Sequence, residues 1–548
     1  MLLAAFLCLF LTAPWACVHA AFNQTIRPAV DQEPTQPAVT IAQGTYLGLS
    51  TDVNGHSLET FLGVRYAAAP IRARRFQKPR FPSSGNQTYN ATAYASTCYQ
   101  ATAGPHSEDC LFLNIIRPHG LSSYTKLPVM IFIHGGSFQF GSGDQADGRN
   151  IVAESVAAGA PVIWISINYR LGVFGFLGGS SVLSAAKAGS AVLNPGMYDT
   201  RMAMRWVQTN IASFRGNPNK VTLVGQSAGA FIIGNNLLAN KGNPGGLFQA
   251  VIMESGSPGS ASTSPPDHPK VDETFAKISD AQGLNPFMPV QDFQVDGFFF
   301  SAPPHVLVAK GKFATVPVIS GCMHDEGTGG APKTLSDPAA LEDWFRTVAV
   351  INSSNATLVD KVLNTLFKLY PDDNTLGSPY YNSPTSVSVG TTNTSDPYFP
   401  PATNQFKRAA ALYGAWRYEA PHRKFILQRY HALSSGVWSY RWSQHDASVA
   451  EYLGVTHSSE LPYLFGNTTG NNGGAYAPLS KTLQRAWISF ANFHDPRRLG
   501  TFYWPPFSAS GRSMIDFKGE DTTVIQETYR ESPLMYFKSA EAAQVLSS

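Results

Sequence analysis

Charge is scarce in this chain. Lys, Arg, Asp and Glu make up 14% of its 548 residues and nearly cancel, to a net of +3. Proteins that neutralise nucleic-acid phosphates or an anionic membrane leave clustered Lys and Arg, so neither partner is expected. Long apolar runs are missing too. The stretch from Leu2 to Thr12 is too short to cross a bilayer as a helix, and no transmembrane segment follows it. There is no internal repeat. With 43% hydrophobic residues, the chain is nonetheless too apolar for disorder and long enough to bury a large core.

Cysteine is rarer still, at five residues. Two of them, Cys8 and Cys17, lie in the uncharged stretch MLLAAFLCLFLTAPWACVHA. This reads as a secretory signal over residues 1–20, with small Val18 and Ala20 before the cut and a mature chain from Ala21. The expected location is therefore extracellular. Seven N-x-[ST] sequons agree with that route as candidate surface glycans: Asn23, Asn86, Asn90, Asn352, Asn355, Asn393 and Asn467. Cys98, Cys110 and Cys322 remain, enough for one disulfide and one thiol. Cys98 and Cys110 close the short loop CYQATAGPHSEDC and are the favoured pair. Cys322, after VPVIS, reads as a buried small hydrophobe.

Apolar runs of strand length are plentiful: LPVMIFIHGG, APVIWISINYR, KVTLVGQS, FQAVIMESGS and VPVISG. Each ends in Gly, Ser, Asn or Arg and is followed by a helix-like stretch. Continuously apolar strands alternating with helices predict a mostly parallel sheet covered on both faces. MRWVQTNIASF carries Met204, Val207, Ile211 and Phe214 at helical spacing and is expected to stop at RGNPNK. The segment Pro371 to Pro401 is rich in Ser, Thr, Asn and Pro, but its Tyr380, Tyr381, Tyr398 and Phe399 predict a long ordered loop packed on the body. One large α/β domain with loop excursions, residues 21–548, is expected.

Within VTLVGQSAGA, Gly225-Gln226-Ser227-Ala228-Gly229 fits G-x-S-x-G at a strand-to-helix turn. So sharp a turn leaves no room for side chains at Gly225 and Gly229 and holds the Ser227 hydroxyl exposed above the sheet. A serine hydroxyl is a weak nucleophile and needs a base, an orienting acid and donors for an oxyanion. IFIHGGSF supplies His134-Gly135-Gly136-Ser137 after a strand, GCMHDEGTGG supplies Asp325 and Glu326, and LGVTHSSELPYLFG supplies His457, in the chain order Ser, acid, His. Asp325 or Asp446 as the acid, and His445 as the base, stay open on residue pattern alone. His324 and His134 read as structural.

In these motifs the chain is similar to the type-B carboxylesterase/lipase family, which includes fungal lipases, carboxylesterases and cholinesterases. FLGVRYA, RRFQKP, SEDCLFLNI, INYRLGVFGFL, GQSAGA, VDGFFFSAPP, HDEGT, YPDDNTLGSP and THSSELPYLFG carry the likeness across nearly all of the mature chain. The resemblance implies an α/β-hydrolase fold with a large, mostly parallel central sheet. It implies Ser227 as nucleophile, His457 as general base and acid, and Glu326 as orienting acid. Backbone N–H groups of Gly136, Ser137 and Ala228 would form the oxyanion hole, and Arg75 and Glu108 a structural ion pair. Cys98 and Cys110 match the family's first disulfide. No metal or organic cofactor is implied.

Three departures bear on substrate. Gln226 stands where the family usually has Glu, Ser137 replaces a glycine of the oxyanion loop, and the Cys98–Cys110 loop is much shorter than the lid of the related lipases. These predict a secreted serine ester hydrolase favouring soluble, short-acyl or aromatic (feruloyl-type) esters, free or polymer-linked. A true lipase or sterol esterase is the alternative within the same chemistry. A non-catalytic cholinesterase-like binding protein is the alternative of another class.

Overall fold

The computed structural model describes residues 36–546 except 103, 262, 281–292, 351–353, 374–375, 381–404, 434–435, 447, 468–476 and 501. The expected signal, Asn23, Asn352 and Asn393 lie outside the described residues. Asn86, Asn90 and Asn355 are exposed and Asn467 is half-buried.

Eleven strands form one sheet. In chain order they are β1 (Leu49–Val53), β2 (His56–Arg65), β3 (Phe112–Pro118), β4 (Leu127–Ile133), β5 (Ile163–Ile167), β6 (Gly216–Gln226), β7 (Ala250–Glu254), β8 (Val318–Met323), β9 (Val437–Trp442), β10 (Ser513–Phe517) and β11 (Thr523–Gln526). Their spatial order is β11-β10-β9-β8-β7-β6-β4-β5-β3-β2-β1. From β10 across to β5 all pairings are parallel. The flanking strands pair antiparallel.

The apolar runs become this parallel centre because successive residues bury opposite faces. Ile131, Ile133 and Leu223 pack on one side against α1 (Pro195–Asn210) and α2 (Ala228–Gly242). Met130, Phe132 and Val224 pack on the other against Leu483, Trp487 and Phe490 of a helix at Ala477–Phe493. Helices at Pro338–Ala349, Ala356–Leu369 and Phe406–Gly414 build a third apolar cluster around Phe345, Leu366 and Leu412. Fully burying an aliphatic or aromatic side chain contributes about 1.5–3 kcal/mol.

The helix expected from Met204 begins earlier, at Pro195, where a proline costs nothing because the first N–H groups of a helix lack partners anyway. It tightens to a 3₁₀ turn over Ile211–Phe214 and ends at Arg215, whose φ of 71° is left-handed. Gly216 already pairs with Leu127, so RGNPNK opens β6 across an irregularity rather than standing apart from it. In the Pro371–Pro401 segment, Tyr380 is held against the body, its amide donating to Asp325 at 2.7 Å. Residues 381–404 lie outside the described residues.

Candidate active site

Ser227 occupies the single residue between β6 and α2, at φ 56° and ψ −125°. A side chain here is strained and persists only where its surroundings dictate it. They do so by contact. A Cβ on Gly225 would lie 2.8 Å from the carbonyl carbon of Gly229, and one on Gly229 only 1.9 Å from the oxygen of Ile133 in β4. The Ser227 amide donates to the Glu254 carbonyl at the end of β7, at 2.9 Å. Its carbonyl accepts from Phe231 in the first turn of α2, also at 2.9 Å.

Glu326 lies in the turn after β8 and uses both carboxylate oxygens. Oε1 accepts from the Met323 amide at 2.7 Å, and Oε2 meets His457 Nδ1 at 2.6 Å. A carboxylate can only accept, so Nδ1 carries the imidazole proton and Nε2 the lone pair. Nε2 lies 3.3 Å from the amide nitrogen of Gln226, which also donates to Ser458 Oγ at 2.8 Å. The imidazole thus spans from Glu326 to the residue that precedes Ser227. The Tyr418 ring covers its flank at 4.7 Å.

Asp325, next in the chain to Glu326, does a different job. Its carboxylate accepts from the amides of Val455 at 2.9 Å and Tyr380 at 2.7 Å, and from the Ser378 hydroxyl at 3.2 Å. Burial alone would raise this carboxyl, but His324 and the two amides outweigh it and hold it below its ordinary range. Thr328 adds hydrogen bonds to Leu453 O at 2.6 Å and Thr456 Oγ1 at 3.0 Å. Together they clip the loop carrying His457 to the turn carrying Glu326. Asp446 accepts from the amide and hydroxyl of Ser448, and His324 sits beside Asp325 at 3.3 Å.

The loop after β4 brings Gly136, Ser137 and Phe138 into successive positive φ, at 102°, 54° and 63°. It abuts the serine, since a Cβ on Gly135 would lie 2.9 Å from that of Ser227. Ala228 is the first residue of α2, so its N–H has no intrahelical acceptor and sits at the positive end of the helix dipole. His134 is buried beneath, its ring stacked 4.4 Å from that of Tyr169, and burial pushes its pKa down to about 4.

Cys98 and Cys110 are bonded and Cys322 is a buried free thiol. The Cys98–Cys110 loop is tied at two places. Gln100 exchanges hydrogen bonds with the main chain of Gly141, at 2.8 and 3.1 Å, just beyond the positive-φ run of the loop after β4. At the other end, Glu108 pairs with Arg75 and Asp109 with Arg65.

Two features at this site leave no mark in the sequence. Nothing in AWRYE distinguishes Tyr418 as the ring against His457. Glu254 and Glu460 are fully buried carboxyls near the cluster; burial pushes Glu254 up to about 8 and Glu460 well above its ordinary value. Among the described residues no group of His, Cys, Asp and Glu is placed to hold a metal ion, and no helix is long and apolar enough to cross a membrane.

The carboxylesterase family profile matches residues 35–285 and 269–536. Lipase 2 of Diutina rugosa is 30% identical over 87% of the chain and 91% of its own length. Secreted lipase 1 of Botryotinia fuckeliana is 30% identical over 92% of the chain and 93% of its own. Among solved structures, Aspergillus niger EstA superposes with a TM-score of 0.77 at 24% identity, over 93% of the chain and 99% of its own. EstA and a thermophilic PNB esterase, which superposes with a TM-score of 0.71 at 24% identity over 92% of the chain and 100% of its own, confirm the α/β-hydrolase fold.

Proposed function

The chain belongs to the carboxylesterase family and is a carboxylic ester hydrolase, and from that premise we propose that it works through an acyl-enzyme on Ser227. His457 Nε2, satisfied by the Gln226 amide in the resting site, takes the Ser227 proton as Oγ bonds to the ester carbonyl carbon. Glu326 keeps the proton on Nδ1 and stabilises the imidazolium. The N–H groups of Gly136, Ser137 and Ala228 stabilise the oxyanion. When the carbon–oxygen bond to the alcohol breaks, His457 returns the proton to the leaving oxygen. Water then repeats the sequence and frees the acid. The observation that carries the reading is the 2.6 Å contact of Glu326 with His457, on an imidazole whose other nitrogen reaches the Gln226–Ser227 turn.

We further infer secretion, with residues 1–20 as the signal, and a preference for soluble, short-acyl or aromatic esters. Secretion is supported by relatives named as secreted lipases and by the disulfide. The substrate preference is supported by the short, tied Cys98–Cys110 loop, which has little apolar area to offer an oil surface. Relatives named lipases favour the competing reading, action on insoluble esters. A fluorophosphonate probe should label Ser227, and soluble esters should follow simple saturation. An absence of labelling would overturn the mechanism. A jump in rate as tributyrin passes its solubility limit would move the enzyme to the lipase reading.

A further inference from the structure

Among the described residues, most buried or half-buried arginines have an oxygen partner. Arg170 meets Asp199 at 2.7 Å, Arg423 meets Glu527 at 2.5 Å and Arg530 meets Glu419 at 2.8 Å. Arg429 lays its guanidinium on the main-chain oxygens of Thr315 and Val316. Arg417 is 8% exposed, yet among the described residues it forms no ion pair and donates no hydrogen bond. Its neighbours are ring faces, with Phe231 at 5.2 Å and Trp416 at 5.6 Å. Rings attract a cation but leave the guanidinium's five N–H groups without oxygen acceptors. Glu419 pairs through Oε1 with Arg530, and Glu326 pairs with His457.

The location matters more than the lack of a partner. Arg417 and Tyr418 lie on a π-helical turn, Ala415–Glu419, a widened turn often found at functional sites. Tyr418 packs on His457 at 4.7 Å and on Phe231 at 6.0 Å. Phe231 is four residues past Ser227, and 6.1 Å away lies Phe138 of the oxyanion loop. In acyl transfer the carbonyl sits between Ser227 and the oxyanion amides, and the alcohol departs beside the imidazole that protonates it. Arg417 stands over Phe231, a buried ring in the first turn after Ser227.

We propose that Arg417 is a specificity-determining residue that receives an anionic acyl group, so that half-esters of dicarboxylic acids are preferred substrates. This rests on the reading of Ser227 as nucleophile. A carboxylate at the far end of the acyl chain supplies the oxygen acceptors that Arg417 lacks, in a charge-assisted and bidentate geometry. A purely aliphatic chain in the same space would leave the guanidinium partnerless and desolvated, which disfavours long fatty acyl groups.

The test compares kcat/KM, by pH-stat, for three esters: monomethyl glutarate with the charge on the acyl side, dimethyl glutarate without charge, and acetoxyacetate with the charge on the alcohol side. The native enzyme should prefer monomethyl over dimethyl glutarate by roughly tenfold or more. That ratio, read within each variant and so independent of how much protein is folded, should fall about tenfold in Arg417→Met and recover in part in Arg417→Lys. It should also shrink in 1 M salt. A native preference for the neutral diester, a ratio unchanged in Arg417→Met, or a preference confined to acetoxyacetate would overturn the proposal. Failure of all three esters together with failure to label Ser227 would instead overturn the reading it rests on.

Discussion

Ser227 sits where β4, β6 and α2 crowd to within contact distance, whereas His457 sits in a loop that no strand or long helix carries. The first position is fixed by exclusion of volume, the 1.9 Å that a Cβ on Gly229 would leave to Ile133 O. The second is fixed by donors and acceptors: Asp325 on Val455, Thr328 on Leu453 and Thr456, Glu326 on the imidazole itself. Steric fixation tolerates almost no change in composition but is indifferent to pH. Polar fixation tolerates conservative change and depends on charge state.

The comparison can be broken at either end. Ser227→Ala should lower kcat by roughly 10⁶, because the reacting groups act as a unit. Glu326→Gln should cost less, roughly 10⁴, since the amide holds the ring yet favours the wrong tautomer. If it left kcat intact while Asp325→Asn abolished it, the two acids would have to exchange roles. Gly229→Ala should destabilise by about 3 kcal/mol or more, read as urea midpoint, because a main-chain oxygen cannot move aside as a side chain can.

The polar side has its own signature. Asp325→Asn should cost about 2 kcal/mol, from one lost charged acceptor and one misplaced amide. Because the folded carboxyl lies below its unfolded value, its stabilisation is present above about pH 4 and is lost as pH falls through the lower folded value. Part of the native protein's acid destabilisation should therefore vanish in Asp325→Asn, while Gly229→Ala should keep it whole. The smallest effect belongs to Gln226→Glu. A carboxylate beside His457 Nε2 favours the imidazolium, so the acid limb of kcat/KM should move to higher pH, by roughly half a unit to one unit. An unmoved limb would count against that contact.

The same division explains what could be read from residues alone. Excluded volume writes itself as glycine, so the serine turn and its strand were legible in GQSAGA. The parallel centre was legible because strands buried on both faces have no polar residue to spare. Polar fixation leaves no such trace. Asp325 and Glu326 are adjacent carboxylates that residue pattern could not separate, and only resemblance to a family singled out Glu326. Their different duties follow from where the turn after β8 points each side chain. Tyr418 and Arg417 lie beyond legibility, since what brings them to the site is a π-helical turn that the residues AWRYE do not announce.

The contact between Gln226 and His457 joins residues 231 apart in the chain. At roughly 5–20 residues per second, the ribosome takes on the order of ten to fifty seconds to cover that interval. During it β6, α2 and β4 can already pack, because their mutual contacts need nothing downstream. On the mechanism proposed above, the serine would then be in place before its base, and reactivity would come in one late step, when the loop carrying His457 docks on Asp325.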